Sequence, residues 1–204
     1  MGYWIVAVLS YLVGSSSMTF YLAKWNGVNM RAGGSGNLGA SNAVLLMGWR
    51  AGVLVALHDI GKSALAVWLA GLVFPALPYV GAVAGVCSVL GHIFPFYLRF
   101  KGGKGFASYF GMTLGLNWKL ALVIMVVVIL VTLVTDYIVV GTVTTVLTVP
   151  AYFGVMENNL LLAAILCIAT AVILWKHREN FVRLRRGTEI GLRSAAKGEH
   201  RVRK

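Results

Sequence analysis

Charge is scarce in this sequence. Only 12% of the 204 residues are Asp, Glu, Lys or Arg, while 59% are hydrophobic and the mean hydropathy is +0.82. A single soluble core of this size cannot enclose so much apolar side chain, so the chain reads as a bilayer protein. Acids are rarer still, six against eighteen Lys and Arg, which leaves a net charge of +12. The apolar runs lack two-residue alternation, which excludes a transmembrane barrel and leaves helices. No Pro/Ser-rich linker divides the chain and no internal period recurs, so 1–204 reads as one domain. The first apolar segment has no cationic stretch before it, so it reads as a retained helix and not a cleaved signal. Cysteine is limited to Cys87 and Cys167, both inside apolar segments, where they read as small core residues and define no redox compartment.

Seven apolar segments can be drawn, at about 3–23, 51–73, 79–98, 106–116, 118–134, 137–155 and 159–176. The fourth, with 11 residues, is the shortest and reads as a half-helix or as part of the fifth. With seven crossings, the loops 24–50, 99–105 and 135–136 share a face with the tail, and 74–78, 117–118 and 156–158 lie opposite. Ten of the eighteen cations fall from Lys176 onward, three in loop 24–50 (Lys24, Arg31, Arg50) and three in loop 99–105 (Arg99, Lys101, Lys104). Positive residues accumulate on the cytoplasmic side, so the amino terminus is expected outside and the basic tail, from about 177, inside. The positive charge is thereby accounted for by topology and anionic lipid headgroups, without a nucleic-acid module.

Three stretches on the cationic face carry chemistry. In the first, Gly34, Gly36 and Gly39 satisfy a dinucleotide-binding pattern, but no strand precedes them and the acid twenty residues on, Asp59, lies in an apolar helix. What survives is a Gly-rich loop able to turn N–H groups toward an anion, with Ser35, Asn37 and Asn42 adding polar side chains. The alternative is a plain interfacial loop. The second stretch breaks at Pro95 and sets Lys101 and Lys104 among Gly102, Gly103 and Gly105. It lacks the glycine and the Ser/Thr of a nucleotide P-loop but suits phosphate. His92, just before it, reads as a structural residue at a helix end. The third opens the tail, where His177 and Asn180 share a helical face; Arg185, Arg186 and everything after Glu189 read as a cationic anchor. Within the second apolar segment Asp59 and Lys62 are i,i+3 partners and read as a structural ion pair, the alternative being a proton relay.

These residues carry a resemblance. The runs Gly-Ser-Gly-Asn-x-Gly-Ala-x-Asn at 34–42, Gly-His-x-Phe-Pro…Phe-Lys-Gly-Gly-Lys-Gly at 91–105 and Lys-His-Arg-Glu-Asn at 176–180 resemble the bacterial acyl-phosphate-dependent glycerol-3-phosphate acyltransferases, the PlsY family. The resemblance implies an all-α integral membrane protein of about seven helices in the bacterial plasma membrane, with a cytoplasmic active site. It implies transfer of a fatty acyl group from acyl phosphate to the sn-1 hydroxyl of glycerol 3-phosphate, with no cofactor, no metal and no obligate protein partner. Carried over by position, Ser35, Lys104, His177 and Asn180 are the catalytic candidates. Gly34, Gly36, Asn37, Asn42, Lys101, Gly102, Gly103, Gly105 and Thr142 are the phosphate-binding ones. The chain departs from the family pattern at Leu45 and Asp136, where arginine is usual, and at Ser41, Ser63 and Val139; Thr142 keeps a hydroxyl in place of serine. A missing arginine at 45 removes a cation from the phosphate region, so weakened activity in a paralogue that binds acyl phosphate is the second reading. A small-anion transporter gated by Asp59 and Lys62 is the third. With no cysteine in a loop and no base beside Ser35 in sequence, direct attack of the glycerol hydroxyl is expected in preference to an acyl-enzyme.

Overall fold

The computed structural model describes residues 1–197, with side chains through Ala195, so the end of the basic tail, 198–204, lies outside the described residues. The elements are α1 Gly2–Ser15, α2 Met18–Trp25, α3 Ala40–Met47, α4 Trp49–Val73, α5 Val80–Ile93, a 3-10 turn Phe96–Leu98, α6 Phe106–Leu116, α7 Trp118–Thr135, α8 Ile138–Val155, α9 Leu160–Lys176, α10 Arg178–Arg185 and α11 Leu192–Lys197. No strand occurs among the described residues.

Five stretches are long and apolar enough to cross a membrane alone: Gly2–Trp25, Trp49–Val73, Val80–Leu98, Trp118–Thr135 and Ile138–Val155. A sixth, α9, qualifies together with α10 across a 47° bend. The 11 residues of α6 give only about 17 Å of helix against a hydrocarbon core of about 30 Å. Contacts between chain turns join ends that the cation distribution assigns to the same face. On one face, Tyr3 Oη donates to the Pro78 carbonyl (2.8 Å) and Asn117 Nδ2 to Glu157 Oε1 (3.4 Å). On the other, Arg31 Nη2 donates to the Lys101 carbonyl (2.6 Å) and Leu192 N to the Asp136 carbonyl (2.8 Å).

The first span is not one continuous helix as the sequence suggests. It breaks between α1 and α2 at Ser16 and Ser17, and Ser17 caps α2 by accepting from Phe20 N (3.3 Å). Carbonyls freed at a break inside a bilayer need partners. Lys62 Nζ donates to Ser16 O (2.7 Å) and Tyr97 Oη to Ser15 O (2.9 Å), so two other segments supply them.

Helices close on one another through glycine. A Cβ on Gly91 of α5 would lie 2.2 Å from the Tyr11 carbonyl of α1, and one on Gly111 of α6 would lie 2.1 Å from the Ile60 carbonyl of α4. Between α5, α6, α8 and α9 lies a buried core of Val89, Ile93, Tyr109, Met112, Val146 and Ile173. Its one polar seam runs from Tyr109 Oη to Thr170 Oγ1 (3.1 Å), which donates to the Val146 carbonyl (2.9 Å). The outer side of α7 shows Leu122, Val126, Ile129 and Leu133 to lipid. Both cysteines are free. Cys87 is half-buried, and Cys167, expected in the core, is exposed because its side of α9 packs against no neighbour. Gly91→Leu should push α1 from α5 and cost about 1–3 kcal/mol or more, lowering the yield of monodisperse protein in detergent chromatography. Gly61→Leu, at an exposed position with nothing within 4 Å, should leave the yield unchanged.

Candidate active site

The first loop is folded by Asn42. This fully buried side chain accepts from Ser35 N (2.8 Å) and donates through Nδ2 to the carbonyls of Met30 (3.0 Å), Asn37 (3.0 Å) and Gly33 (3.3 Å). Its amide is taken up by the loop itself, so Asn42 positions the loop. Gly34 turns with φ +57°, where a Cβ would lie 2.1 Å from Asn42 Oδ1. Gly36 N donates to Gly33 O (3.0 Å). The expected nest therefore fails at Ser35 and Gly36, whose N–H groups face inward. The side-chain donors that remain are the Ser35 hydroxyl and the Asn37 amide, neither hydrogen-bonded among the described residues.

The second loop caps α5. Pro95 cannot continue the helix, and the chain folds back so that Gly102 N donates to Ile93 O (2.9 Å) and Gly103 N to His92 O (3.2 Å). A side chain at Gly102 would lie 2.1 Å from His92 O, and one at Gly103 2.1 Å from His92 Nε2 and 3.0 Å from Leu38 O. These two glycines thus serve close packing, and their N–H groups cap the end of α5. Lys101 has an exposed side chain, while its carbonyl takes the Arg31 guanidinium. Lys104 alone turns inward. Gly105, at φ +95°, starts α6, whose first-turn N–H groups lie behind Lys104 without intrahelical acceptors. In that turn Ser108 Oγ is buried and unpartnered.

The tail completes the arrangement. Lys104 Nζ donates to Asn180 Oδ1, Asn180 Nδ2 to Glu189 Oε1 (2.5 Å), and Arg183 Nε to Glu189 Oε2 (2.6 Å). His177 sits at the bend after α9, its Nδ1–H donating to the Ile173 carbonyl (2.8 Å), which leaves the Nε2 lone pair free. Both His177 and Asn180 are buried. Thr142 lies one turn inside α8, its hydroxyl proton committed to Ile138 O (3.0 Å), so it offers no donor. The sequence reading missed Glu189 as a partner; the signal was a carboxylate set just past the Arg183, Arg185 and Arg186 cluster.

Behind the second loop lies the buried charge cluster. Lys62 Nζ donates to Asp59 Oδ1 (2.8 Å) and lies 3.1 Å from His92 Nδ1, itself 3.3 Å from Asp59 Oδ1. His58 Nδ1 lies 3.4 Å from the same oxygen and its Nε2 3.1 Å from Ser16 Oγ. The expected pair is thus part of a larger network, in which His92 ties α4 to the loop carrying Gly103. Leu45 is buried in α3 beneath Gly34. Of the two arginines that could replace the cation expected there, Arg31 bridges the loops and Arg50 stacks on Trp49 (5.7 Å). Arg183 brings a guanidinium to the same side as Lys104.

Burial first, and then the nearby Arg183, lowers the pKa of Lys104 to about 8. Burial likewise lowers that of His177, past the end of α9, to about 4, so its imidazole is neutral at pH 7. A lysine with a depressed pKa is cationic below it and neutral above. Phosphate capture should therefore weaken as pH rises through about 8, where an ordinary lysine would stay charged to about 10.4. The pH profile of kcat/KM for a phosphate substrate should fall about tenfold per unit above pH 8, and Lys104→Arg should move that limb beyond pH 10.

The family model described as glycerol-3-phosphate acyltransferase matches residues 4–187. A glycerol-3-phosphate acyltransferase of Geobacter sulfurreducens is 36% identical over 185 residues, 91% of this chain and 95% of the relative. One of Coxiella burnetii is 37% identical over 193 residues, 93% and 97%. Two solved structures of PlsY, an integral membrane glycerol 3-phosphate acyltransferase, share the fold at 30% identity. The glycerol 3-phosphate form has a TM-score of 0.90 and covers 96% of this chain and 98% of that one. The lysophosphatidic acid form has a TM-score of 0.85 and covers 94% and 95%. The chain belongs to the glycerol-3-phosphate acyltransferase family.

Proposed function

We propose that this protein transfers a fatty acyl group from acyl phosphate to the sn-1 hydroxyl of glycerol 3-phosphate, releasing lysophosphatidic acid and inorganic phosphate. The whole chain acts as one domain in a bacterial plasma membrane, its amino terminus outside and its site on the cytoplasmic face. The observation that carries the reading is Lys104, turned inward at the start of α6 and joined through Asn180 and Glu189 to Arg183, with neutral His177 nearby. Such a site draws two phosphates together. Proximity of two bound reactants supplies several kcal/mol of the barrier reduction, and preorganised cations stabilise charge developing on oxygen.

The glycerol oxygen attacks the acyl carbon directly, the bond from that carbon to the phosphate oxygen breaks, and the hydroxyl proton passes to the departing phosphate. His177, with a pKa near 4, is a weak proton acceptor and orients the hydroxyl through Nε2. Ser35 has no base against its hydroxyl, which argues against an acyl-enzyme.

Donor choice tests the assignment. Purified protein in detergent is given glycerol 3-phosphate with palmitoyl phosphate or with palmitoyl coenzyme A, and lysophosphatidic acid is measured. Product from the phosphate is expected. Product from the thioester alone would remove acyl phosphate from the proposal.

A further inference from the structure

Residues 187–193 form a strap that leaves α10, passes the site and ends on the turn between α7 and α8. Its far end is held by Asp136. The Asp136 carbonyl accepts from Leu192 N (2.8 Å), and its Oδ1 accepts from Arg193 N (2.9 Å). Arg193 Nη2 reaches on to the Leu133 carbonyl (3.0 Å), in the last turn of α7. Gly191 fits because it has no side chain, since a Cβ there would lie 2.1 Å from Asp136 Oδ2. Asp136 itself adopts φ +71°, a left-handed conformation that Asp and Asn tolerate better than most residues. Its near end is Glu189, two residues before Gly191, which engages both Asn180 and Arg183.

We propose that Asp136 is a positioning residue: by latching 191–193 to the α7–α8 turn it fixes Glu189, and Glu189 in turn aims Asn180 and Arg183 at the phosphate held by Lys104. One carboxylate thus acts on the site from a different helix pair, through three residues of chain. The assignment replaces two expectations. The strap beyond Glu189 is a built contact and not only a cationic anchor, and the acid at 136, where the family pattern has arginine, has a specific partner. It rests on the reading of the site as a glycerol 3-phosphate site.

Asp136→Ala removes the side-chain acceptor and Asp136→Asn keeps it. Steady-state kinetics with glycerol 3-phosphate, melting in detergent and tryptic cleavage at Arg185, Arg186 and Arg193 are compared with the parent. For Asp136→Ala we expect KM to rise about tenfold with kcat within about twofold, a melting temperature lowered only slightly by alanine at φ +71°, and faster cleavage of the strap, about the loss of one hydrogen bond to a charged group. Asp136→Asn should restore KM and protection, and Gly191→Ala should reproduce the alanine phenotype. A loss of kcat and melting temperature without a KM change would make Asp136 merely structural and overturn the proposal, as would unchanged KM and cleavage. If the parent itself shows no turnover, the functional reading fails on its own; tryptic protection and the Kd of glycerol 3-phosphate, by calorimetry on parent and variants, then decide the latch.

Discussion

Lys104→Ala is expected to lower kcat/KM for glycerol 3-phosphate by about 10²–10³-fold, the cost of removing one preorganised charged donor, about 3–4 kcal/mol. Of the two lysines in the second loop, only Lys104 turns toward Asn180 and sits at the start of α6. Lys101 projects to solvent, and its backbone does the work of bridging to Arg31. Lys101→Ala should therefore cost about threefold or less, near the modest value of an exposed charge. Lys104→Arg keeps the charge but replaces a compact ammonium with a planar fork, so a partial loss of about tenfold is expected. Equal losses at 101 and 104 would show that the loop works as a diffuse cationic patch.

The second large effect is on stability. Lys62→Met leaves the Asp59 carboxylate buried without its closest cation, and breaking such a pair costs about 3–5 kcal/mol. It also strips the Ser16 carbonyl of its donor at the break in the first span. Replacing both partners, Asp59→Asn with Lys62→Met, removes the stranded charge, and the double variant should melt above Lys62→Met alone. The measurement is thermal unfolding in detergent as a double-mutant cycle. Additive losses would mean that the two side chains act independently, and the network would lose its role in holding α1, α4 and α5 together.

Much of this molecule was legible in the sequence because bilayer proteins write their topology in composition. Uninterrupted apolar runs mark helices, and the cations of 24–50, 99–105 and the tail mark one face. The break at Ser16 and Ser17 was missed because serine in an apolar run carries little hydropathy signal, while the donors that satisfy it, Lys62 from α4 and Tyr97, are brought there by tertiary structure. The short α6 was visible from its 11 residues. At the site, the family resemblance singles out Lys104, His177 and Asn180, and the structure brings Lys104 onto Asn180 across 76 residues. Several polar groups that the sequence suggests for a ligand have partners within the protein. The N–H groups of Gly102 and Gly103 cap α5, Asn42 binds its own loop and Thr142 donates within its helix. A glycine in a loop that permits backbone approach to a ligand looks the same in sequence as one that permits approach to a carbonyl.

The most direct test is phosphate release. Purified protein in detergent, given palmitoyl phosphate, should release inorganic phosphate only when glycerol 3-phosphate is added, with one lysophosphatidic acid formed per phosphate and the rate falling above about pH 8 as Lys104 loses its proton. No release above blank, across several pH values and acyl chain lengths, would contradict acyl transfer at this site.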